Sequence, residues 1–379
     1  MSYVKQPHRS SAARQDLVPT AHCRIVEREH VGTGQRPHHL LTGTDSCRDG
    51  VAAAMSTDFG RNFGIALLCH DPTLLGGCYG IAVSRESSVS CVSLWGMSAG
   101  SVAIVTCVSL PEPDPDQDLL LAALATAGVD AHLVSWDDPD VRWADFQLAV
   151  LRSTWNYIQD LPAFLAWIQH TSKLTQLLNP AEVVLANSHK HYLIELANRG
   201  LPVVPTSYWP KGADVSLAAV MAEQGWDDVV VKPAVGAGSY LTERFDVATA
   251  AAGQQFWSRA IAEREMLVQP YLPSVAEYGE RCLIWIAGEF THAVRKNPRL
   301  GDAEESVSDA LTMSSDELRV AEQALAAVAH ELLYGRVDLI RDSADEPLIA
   351  EIELIEPSLF LQQSPAALAR LVAAISARS

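Results

Sequence analysis

Three acidic residues near the end of the chain have the spacing of a cation-binding site. Glu351 and Glu353 stand two positions apart in the apolar stretch LIAEIEL (348–354), so in a strand both side chains point to one face. Asp338 lies in an earlier predicted strand and joins them if the two strands are antiparallel neighbours. Carboxylates at this spacing repel one another unless a cation holds them, and an all-oxygen ligand set suits Mg²⁺ or Mn²⁺. We therefore predict a metal site here, and the alternative is a solvated acidic edge.

Two lysines are candidates for holding phosphate groups. Residues 229–238, VVVKPAVGAG, predict a strand covered on both faces that stops at Lys232, because the following proline cannot donate to a ladder. Gly236 and Gly238 let backbone amides approach a ligand closely. An ordinary surface lysine before a hairpin is the alternative.

Lys190, the second lysine, is predicted in the first turn of a helix that begins at Asn187 or Ser188 and ends at Gly200. A positive charge is disfavoured at that end of a helix unless it binds an anion such as a polyphosphate.

A group of polar residues follows a predicted parallel strand. The stretch RSTWNY (152–157) combines a cation, hydroxyls, an amide and aromatic rings, and ligands of parallel sheets bind beyond the carboxyl ends of the strands. A helix cap with Trp155 in the core is the other interpretation, and the two can both hold. The candidate substrate-binding residues in this stretch are Arg152, Ser153, Thr154 and Asn156.

Two arginines are predicted to meet on a β-hairpin. Residues 279–298 alternate like two strands joined by a turn at 287–288. Arg281 and Arg295 lie at the open ends of those strands, so the folded hairpin can bring them close together. Two neighbouring guanidinium groups need an anion, which is either a local carboxylate or a substrate phosphate.

The elements that position these residues predict an α/β (α+β) fold. A buried strand (102–108), an amphipathic helix (118–128) and two further strands (130–136 and 146–152) give the strand–helix–strand order of a parallel sheet. Residues 1–96 show no sustained pattern. We predict a poorly ordered extension there, with a small extra subdomain as the alternative.

The composition excludes several classes of protein. The 379 residues carry a formal net charge of −18, so the basic surplus that nucleic-acid binding requires is missing. No stretch reaches a membrane-spanning length free of polar residues. The seven cysteines have no metal-like spacing, which favours a reduced, cytoplasmic protein.

The order of these motifs resembles that of the ATP-grasp ligases, most closely their glutathione-synthetase-like branch, which includes the D-cycloserine synthetases. The stretches RSTWNY, GER, THAVRKNP and EIELIEPSLF carry the closer resemblance, which covers about residues 101–379. The resemblance implies an ATP-grasp fold with an N-terminal parallel α/β domain, the pre-ATP-grasp domain, at 97–185. It places one ATP-grasp subdomain at 186–265 and the other at 266–379.

The resemblance also implies roles for individual residues. The two lysines bind ATP phosphates, the glycine loop closes over the nucleotide, and the hinge QPYL reads adenine. The acids bridge two Mg²⁺ ions to the phosphates, with Mn²⁺ as an alternative, and arginines hold an acyl-phosphate. The implied sets are Arg281, Arg295 and Lys296 for catalysis; Lys190, Lys232, Gly236, Gly238, Ser239, Gln269, Pro270, Tyr271, Leu272 and Glu277 for ATP; Asp338, Glu351 and Glu353 for metal; and Arg152, Ser153, Thr154, Asn156 and Ser358 for substrate.

The implied activity is ATP-dependent ligation, in which a substrate carboxylate becomes an acyl-phosphate that a nitrogen nucleophile attacks. Cyclisation of O-ureido-D-serine to D-cycloserine is the specific hypothesis. Amide or peptide ligation is one alternative, and an ATP-binding protein without turnover is another. The expected partner is a small amino-acid-like molecule, and a homo-oligomer is left open.

Overall fold

The computed structural model describes residues 100–297 and 306–379, all within the unit Met97–Ser379. The predictions for residues 1–96 lie outside the described residues. The described chain forms three β-sheets with helices packed on them.

The first sheet is parallel, as the strand–helix–strand pattern predicts. Its strand order is β2-β1-β3-β4, and every pairing is parallel. Helix α1 ends before Gly128, whose φ of +77° suits glycine. The elements are β1 (Val102–Thr106), α1 (Gln117–Thr126), β2 (Ala131–Ser135), β3 (Leu148–Leu151), α2 (Leu161–Thr171) and β4 (Gln176–Leu178), with short 3₁₀ helices at Trp143–Asp145 and Tyr157–Gln159.

The helix predicted from Asn187 or Ser188 to Gly200 is only the short α4 (Tyr192–Asn198), and a separate short helix, α3 (Ala181–Asn187), ends just before the turn that precedes it. The prediction that a helix begins at Asn187 or Ser188 was wrong. The Asn187 side chain does not cap a helix, because its amide donates to Ile352 O and its Oδ1 accepts from Leu354 N, both at 2.9 Å. Lys190 therefore lies in the turn between the two helices.

The second sheet is antiparallel, in the order β5-β8-β6-β7. Val229 and Val231 are buried in its core, whereas Val230 is half-buried and lines a cleft, so the strand is not covered on both faces as predicted. This sheet runs on to Pro270, past the predicted subdomain boundary at 265/266. The elements are β5 (Ser207–Trp209), α5 (Leu217–Gln224), β6 (Asp228–Pro233), β7 (Glu243–Asp246), α6 (Ala250–Glu263) and β8 (Met266–Pro270).

The third sheet is also antiparallel, in the order β11-β10-β9-β12-β13. The predicted hairpin is β9–β10, and its turn residues Ala287 and Gly288 both have positive φ, as a tight hairpin turn needs. The elements are α7 (Ser274–Glu277), β9 (Glu280–Ile286), β10 (Glu289–Asn297), β11 (Ser306–Val307), α8 (Ser315–Ala326), β12 (Tyr334–Arg341), β13 (Pro347–Glu353) and α9 (Pro365–Ser376), with a 3₁₀ helix at Leu361–Gln363.

Buried contacts join the sheets. One core cluster runs from Ile104 and Leu124 of the first layer to Ile284 of the third sheet and Leu371 of α9. The backbone of Val204, which precedes β5, donates to Ile349 O at 3.0 Å. The first of these contacts joins the first and third sheets, and the second joins the segment before β5 to β13. Among the described residues, no helix is both long enough and apolar enough to cross a membrane.

Candidate active site

A cleft of about 470 Å³ lies between the second and third sheets, with the first sheet's loops at one end. It brings together most of the residues that the sequence singles out. The predicted residues that line it are Lys190, Lys232, Gly236, Gly238, Ser239, Gln269, Pro270, Tyr271, Leu272, Lys296, Asp338, Glu351, Glu353 and Ser358.

The acidic wall of the cleft is built by β12 and β13. Asp338 and Glu351 are direct partners across this antiparallel pair, as predicted, and Glu353 faces Arg336. The register shifts after Asp338, so that Leu339 pairs with Ile349 and leaves Ala350 unpaired in a bulge. Asp338 is only 1% exposed. A solvated acidic edge is therefore excluded for it.

A protein cation, Arg336, holds two of these acids. Its Nε and Nη2 each donate to Asp338 at 2.8 Å, and Nη2 also bonds Glu353. Burial works against a charge on Asp338, but the Arg336 guanidinium outweighs it and keeps the pKa of Asp338 below its usual value. For Glu353 the effect of burial is larger than that of the Arg336 charge, and its pKa is raised to about 7.

Lys190 and Lys232 converge on the third acid, Glu351. The Lys190 ammonium bonds the Glu351 carboxylate directly, and the Lys232 ammonium lies 3.9 Å from its other oxygen. Burial opposes the charge on Lys190, yet Glu351 raises the pKa of Lys190 above its usual value. Burial lowers the pKa of Lys232. Since the backbone N–H of Lys190 donates to Ala234 O at 2.7 Å, the turn is tied to the end of β6.

Glu280 on β9 is a further acid in the cleft. It forms an ion pair with Lys296 at 3.0 Å, and the two residues are partners across the hairpin. Glu280, Cys282 and Asp338 bring one ligand atom each within 4.8 Å of one another. Burial raises the pKa of the Cys282 thiol well above its usual value, so the thiol stays protonated and contributes no hard ligand.

The residues of the predicted adenine hinge, Gln269 to Leu272, also line the cleft. Gln269 is buried and its amide donates to Thr206 Oγ1 at 2.8 Å. The Arg244 guanidinium lies 3.5 Å from the centre of the Tyr271 ring and forms two hydrogen bonds with Asp228. The neighbouring glycine loop has positive φ at Gly238 and Ser239. The hinge thus contributes the aromatic Tyr271 and the apolar Leu272 to the cleft lining.

Three predicted residues on or near the hairpin lie outside the cleft lining. Arg281 and Arg295 are register partners, as predicted, but they alternate with Glu280 and Lys296, which line the cleft. Arg281 forms an ion pair with Glu317 at 3.1 Å, so a local carboxylate is its anion. Arg295 donates to the backbone carbonyl of Glu277 at 3.2 Å, and Glu277 itself is exposed on α7.

Four predicted substrate residues are buried or half-buried beneath the cleft. Arg152, Ser153 and Thr154 are each at most 2% exposed. Arg152 Nη1 donates to Pro357 O at 3.0 Å. The amide of Asn156 bridges Trp136 and Asp137, at 2.7 Å each. Of the stretch RSTWNY, the side chains that line the cleft are those of Trp155 and Tyr157.

Sequence reasoning missed several residues of the site. Arg336 and Asp338 stand two positions apart on β12, so the period-two rule could have predicted that both side chains lie on one face. Glu280 directly precedes Arg281 and lines the cleft, but no role was predicted for it. Trp155 and Glu356 gave no spacing signal, because their positions depend on packing between the first and third sheets.

Two antiparallel sheets, one bearing lysines and a glycine loop and the other bearing carboxylates, enclose this cleft behind a parallel α/β layer. That combination of fold and site is the architecture of the ATP-grasp ligases. Comparison with known proteins agrees. A D-alanine–D-alanine ligase from Bacillus anthracis has the same fold, with a TM-score of 0.54 at 14% identity over 74% of this chain and 97% of that one.

A narrower likeness is found to D-cycloserine synthetase. The family described as "D-cycloserine synthetase DcsG, N-terminal domain" matches residues 102–179. The cycloserine biosynthesis protein DcsG of Streptomyces lavendulae is 36% identical over 297 residues, covering 74% of this chain and 99% of that protein. The crystal structure of D-cycloserine synthetase DcsG matches with a TM-score of 0.67 and 34% identity, again over 74% and 99%. The chain belongs to the DcsG family of ATP-grasp ligases and is an ATP-dependent ligase that forms C–N bonds.

Proposed function

We propose that this ligase closes O-ureido-D-serine to D-cycloserine at the expense of ATP, as an enzyme of antibiotic biosynthesis in the cytoplasm. The observation that carries the proposal is the convergence of Lys190, Lys232 and Lys296 with Asp338, Glu351 and Glu353 in one cleft. Its support is the 36% identity to DcsG over nearly the whole of that protein.

In this proposal the nucleotide occupies the hinge end of the cleft. The adenine lies against Tyr271 and Leu272, and its edge meets the backbone at Gln269–Leu272. Lys190 and Lys232 neutralise the phosphates, and the backbone amides at Gly236–Ser239 approach them. The ion pairs to Glu351 hold both ammonium groups in the cleft.

The donor set fits Mg²⁺, with Mn²⁺ as the alternative. Asp338, Glu351 and Glu353 offer carboxylate oxygens only, which hard divalent ions prefer. Arg336 keeps the carboxylates of Asp338 and Glu353 oriented. When bound, the metal would neutralise charge on the phosphate oxygens. The protein's part is to hold these carboxylates close together on one wall.

The proposed reaction has three balanced steps. A carboxylate oxygen of the substrate bonds the γ-phosphorus of ATP while the bond from that phosphorus to ADP breaks. The ureido nitrogen next to oxygen then bonds the carbonyl carbon, the bond from carbon to phosphate oxygen breaks, and that nitrogen loses a proton, which leaves a ring that still carries the carbamoyl group. Water then attacks the carbamoyl carbon, the bond from that carbon to the ring nitrogen breaks, the nitrogen takes up a proton, and the carbamoyl group leaves as carbamate, which decomposes to CO₂ and ammonia. The buried Lys190 and the half-buried Lys232 and Lys296 stabilise the negative charge that develops.

The test is product formation by the full-length protein. Incubation with ATP, Mg²⁺ and O-ureido-D-serine should release ADP, phosphate and D-cycloserine in equal amounts, measured by coupled assay and mass spectrometry. ADP release that requires a second amino acid or amine, with a linear amide as product, would favour intermolecular ligation. ATP binding without ADP release across a panel of amino acids and amines would reject the ligase chemistry.

A further inference from the structure

A short segment after β13 is held to the cleft floor by side chains from the first and third sheets. Its consecutive backbone carbonyls each accept a hydrogen bond. The bonds run from Tyr334 Oη to Ile355 O at 2.8 Å, Trp155 Nε1 to Glu356 O at 3.0 Å, Arg152 Nη1 to Pro357 O at 3.0 Å and Arg336 Nη1 to Ser358 O at 3.2 Å. A backbone fixed in this way presents its side chains in one geometry.

The Glu356 side chain lines the cleft from this fixed segment and is 9% exposed. Within the described part of the chain its carboxylate forms no ion pair, although the charge of Lys190 partly stabilises its ionised form. In contrast, four other acids of the cleft form ion pairs: Glu280 with Lys296, Glu351 with Lys190, and Asp338 and Glu353 with Arg336. Burying a carboxyl group costs free energy unless a cation or hydrogen bonds compensate. Glu356 thus lacks an ion pair of its own among the described residues, and Lys190, the cation that stabilises its charge, is itself bonded to Glu351.

Aromatic rings stand beside this carboxyl group. The Tyr157 hydroxyl is near enough to this carboxyl group for the two to shift each other's pKa, and the Tyr157 ring stacks on Phe164 with centroids 4.8 Å apart. Trp155 lines the same end of the cleft. A carboxylate flanked by aromatic rings is a chemical match for an ammonium group, which gains both an ion pair and cation–π attraction.

Burial, with the negative charge of Glu353 nearby, raises the pKa of Glu356 to about 8. An ammonium group in contact with the carboxyl group would favour the ionised form and lower that pKa. The resident charge of Lys190 offsets only part of the effect of burial, so a ligand's cation at Glu356 would stabilise the ionised form further.

We propose that Glu356, Tyr157 and Trp155 form a subsite for the α-ammonium group of the amino-acid substrate. The inference rests on the proposed function, because it takes the substrate to be an amino acid whose carboxylate faces the cleft lysines and the three carboxylates proposed to bind metal. In this proposal the free amine of the substrate is recognised by the segment 355–358 and the two aromatic residues beside it. The subsite would discriminate against desamino and N-acylated acids.

The test measures binding without turnover. Dissociation constants for O-ureido-D-serine and its desamino analogue are determined by calorimetry, with Mg²⁺ and a non-hydrolysable ATP analogue present. Wild-type protein should bind the amine about 10- to 100-fold more tightly than the desamino compound, the range of a charge-assisted hydrogen bond. Glu356→Gln should remove that preference by weakening the amine alone, and the affinity for the ATP analogue should stay unchanged.

The matched control is Glu182→Gln, which removes one negative charge from the exposed face of α3 and should keep the preference. If thermal unfolding shows that Glu356→Gln does not fold, Glu356→Asp replaces it, with the same selective but smaller loss expected. Equal binding of both compounds by the wild type, or binding of neither, overturns the subsite. Equal weakening of both compounds by the Glu356 variant also overturns it. Selective amine binding without D-cycloserine formation would reject the proposed reaction and retain the subsite.

Discussion

Arg336 grips Asp338 with two parallel hydrogen bonds of 2.8 Å, from a position two residues earlier on the same buried strand. The acids predicted to need a cation thus have one from the protein itself. Arg336 is 3% exposed and Asp338 is 1% exposed, so neither charge can turn to solvent. Two of the predicted metal ligands, Asp338 and Glu353, are consequently oriented by the protein fold.

Arg336→Met should therefore destabilise the protein by about 3–5 kcal/mol in metal-free buffer, because it leaves a buried carboxylate without its partner. Urea unfolding with EDTA measures this. The double variant Arg336→Met/Asp338→Asn should recover part of the loss, since the amide carries no charge. Equal stabilities of the single and double variants would contradict the pairing.

Glu351→Gln tests the other half of the network. Carboxylates that only repel one another would make this change neutral or slightly stabilising without metal. Because Glu351 compensates Lys190 and Lys232, we expect the variant to lose stability in EDTA, by a few kcal/mol. It should also lose most of the stabilisation that Mg²⁺ and ATP confer on the wild type, and its ADP release. Thermal unfolding with and without these ligands measures both effects, and full magnesium-dependent ADP release by the variant would reject the metal site.

Lys232→Ala should reduce turnover by about a hundredfold or more, because it removes a positive charge that, in the proposed function, neutralises the ATP phosphates in the cleft. Its effect on stability should be smaller than that of Glu351→Gln, since burial already disfavours the charged form of Lys232. Steady-state ADP release measures the loss of turnover, and urea unfolding measures the loss of stability. Lys211→Ala, at an exposed site, is the control and should leave both unchanged.

Arg152→Met separates two interpretations of the stretch RSTWNY. A residue that docks the substrate carboxylate would raise the KM for substrate and spare stability. Because Arg152 is buried and bonds Pro357 O, we expect a loss of stability of about 1–3 kcal/mol, with KM and kcat both affected. A variant of wild-type stability with only a raised substrate KM would restore the docking role.

Alternation and turn chemistry were enough to predict much of this site. Period two placed Glu351 and Glu353 on one face, and antiparallel pairing brought Asp338 opposite Glu351. The same rule predicts that Lys296 and Arg295, which are neighbours on β10, point to opposite faces of the hairpin. The local sequence does not show which of those faces lines a cleft. The position of Lys190 was missed for a different reason. Asn187 bonds β13, a partner more than a hundred residues away, and helix capping rules cannot anticipate that contact.

The last prediction concerns pH. The folded-state pKa of Glu356, about 8, lies above its ordinary value of 4.5, so the folded protein binds more protons than the unfolded chain between those values. The stability contributed by the protonated group is present below about pH 4.5 and is lost as pH rises through 8, with a slope of at most about 1.4 kcal/mol per pH unit. Glu356→Gln abolishes this dependence, so its stability relative to wild type should rise steadily from pH 5 to pH 8 in EDTA.

The groups that face Glu356 are Tyr157, Lys190, Glu351 and Glu353, and they remain in both proteins. Their own titration therefore largely cancels in the difference, including that of Glu353 near pH 7. Urea unfolding at intervals of half a pH unit measures the difference, and parallel profiles for the two proteins would show that Glu356 is not held in the protonated state.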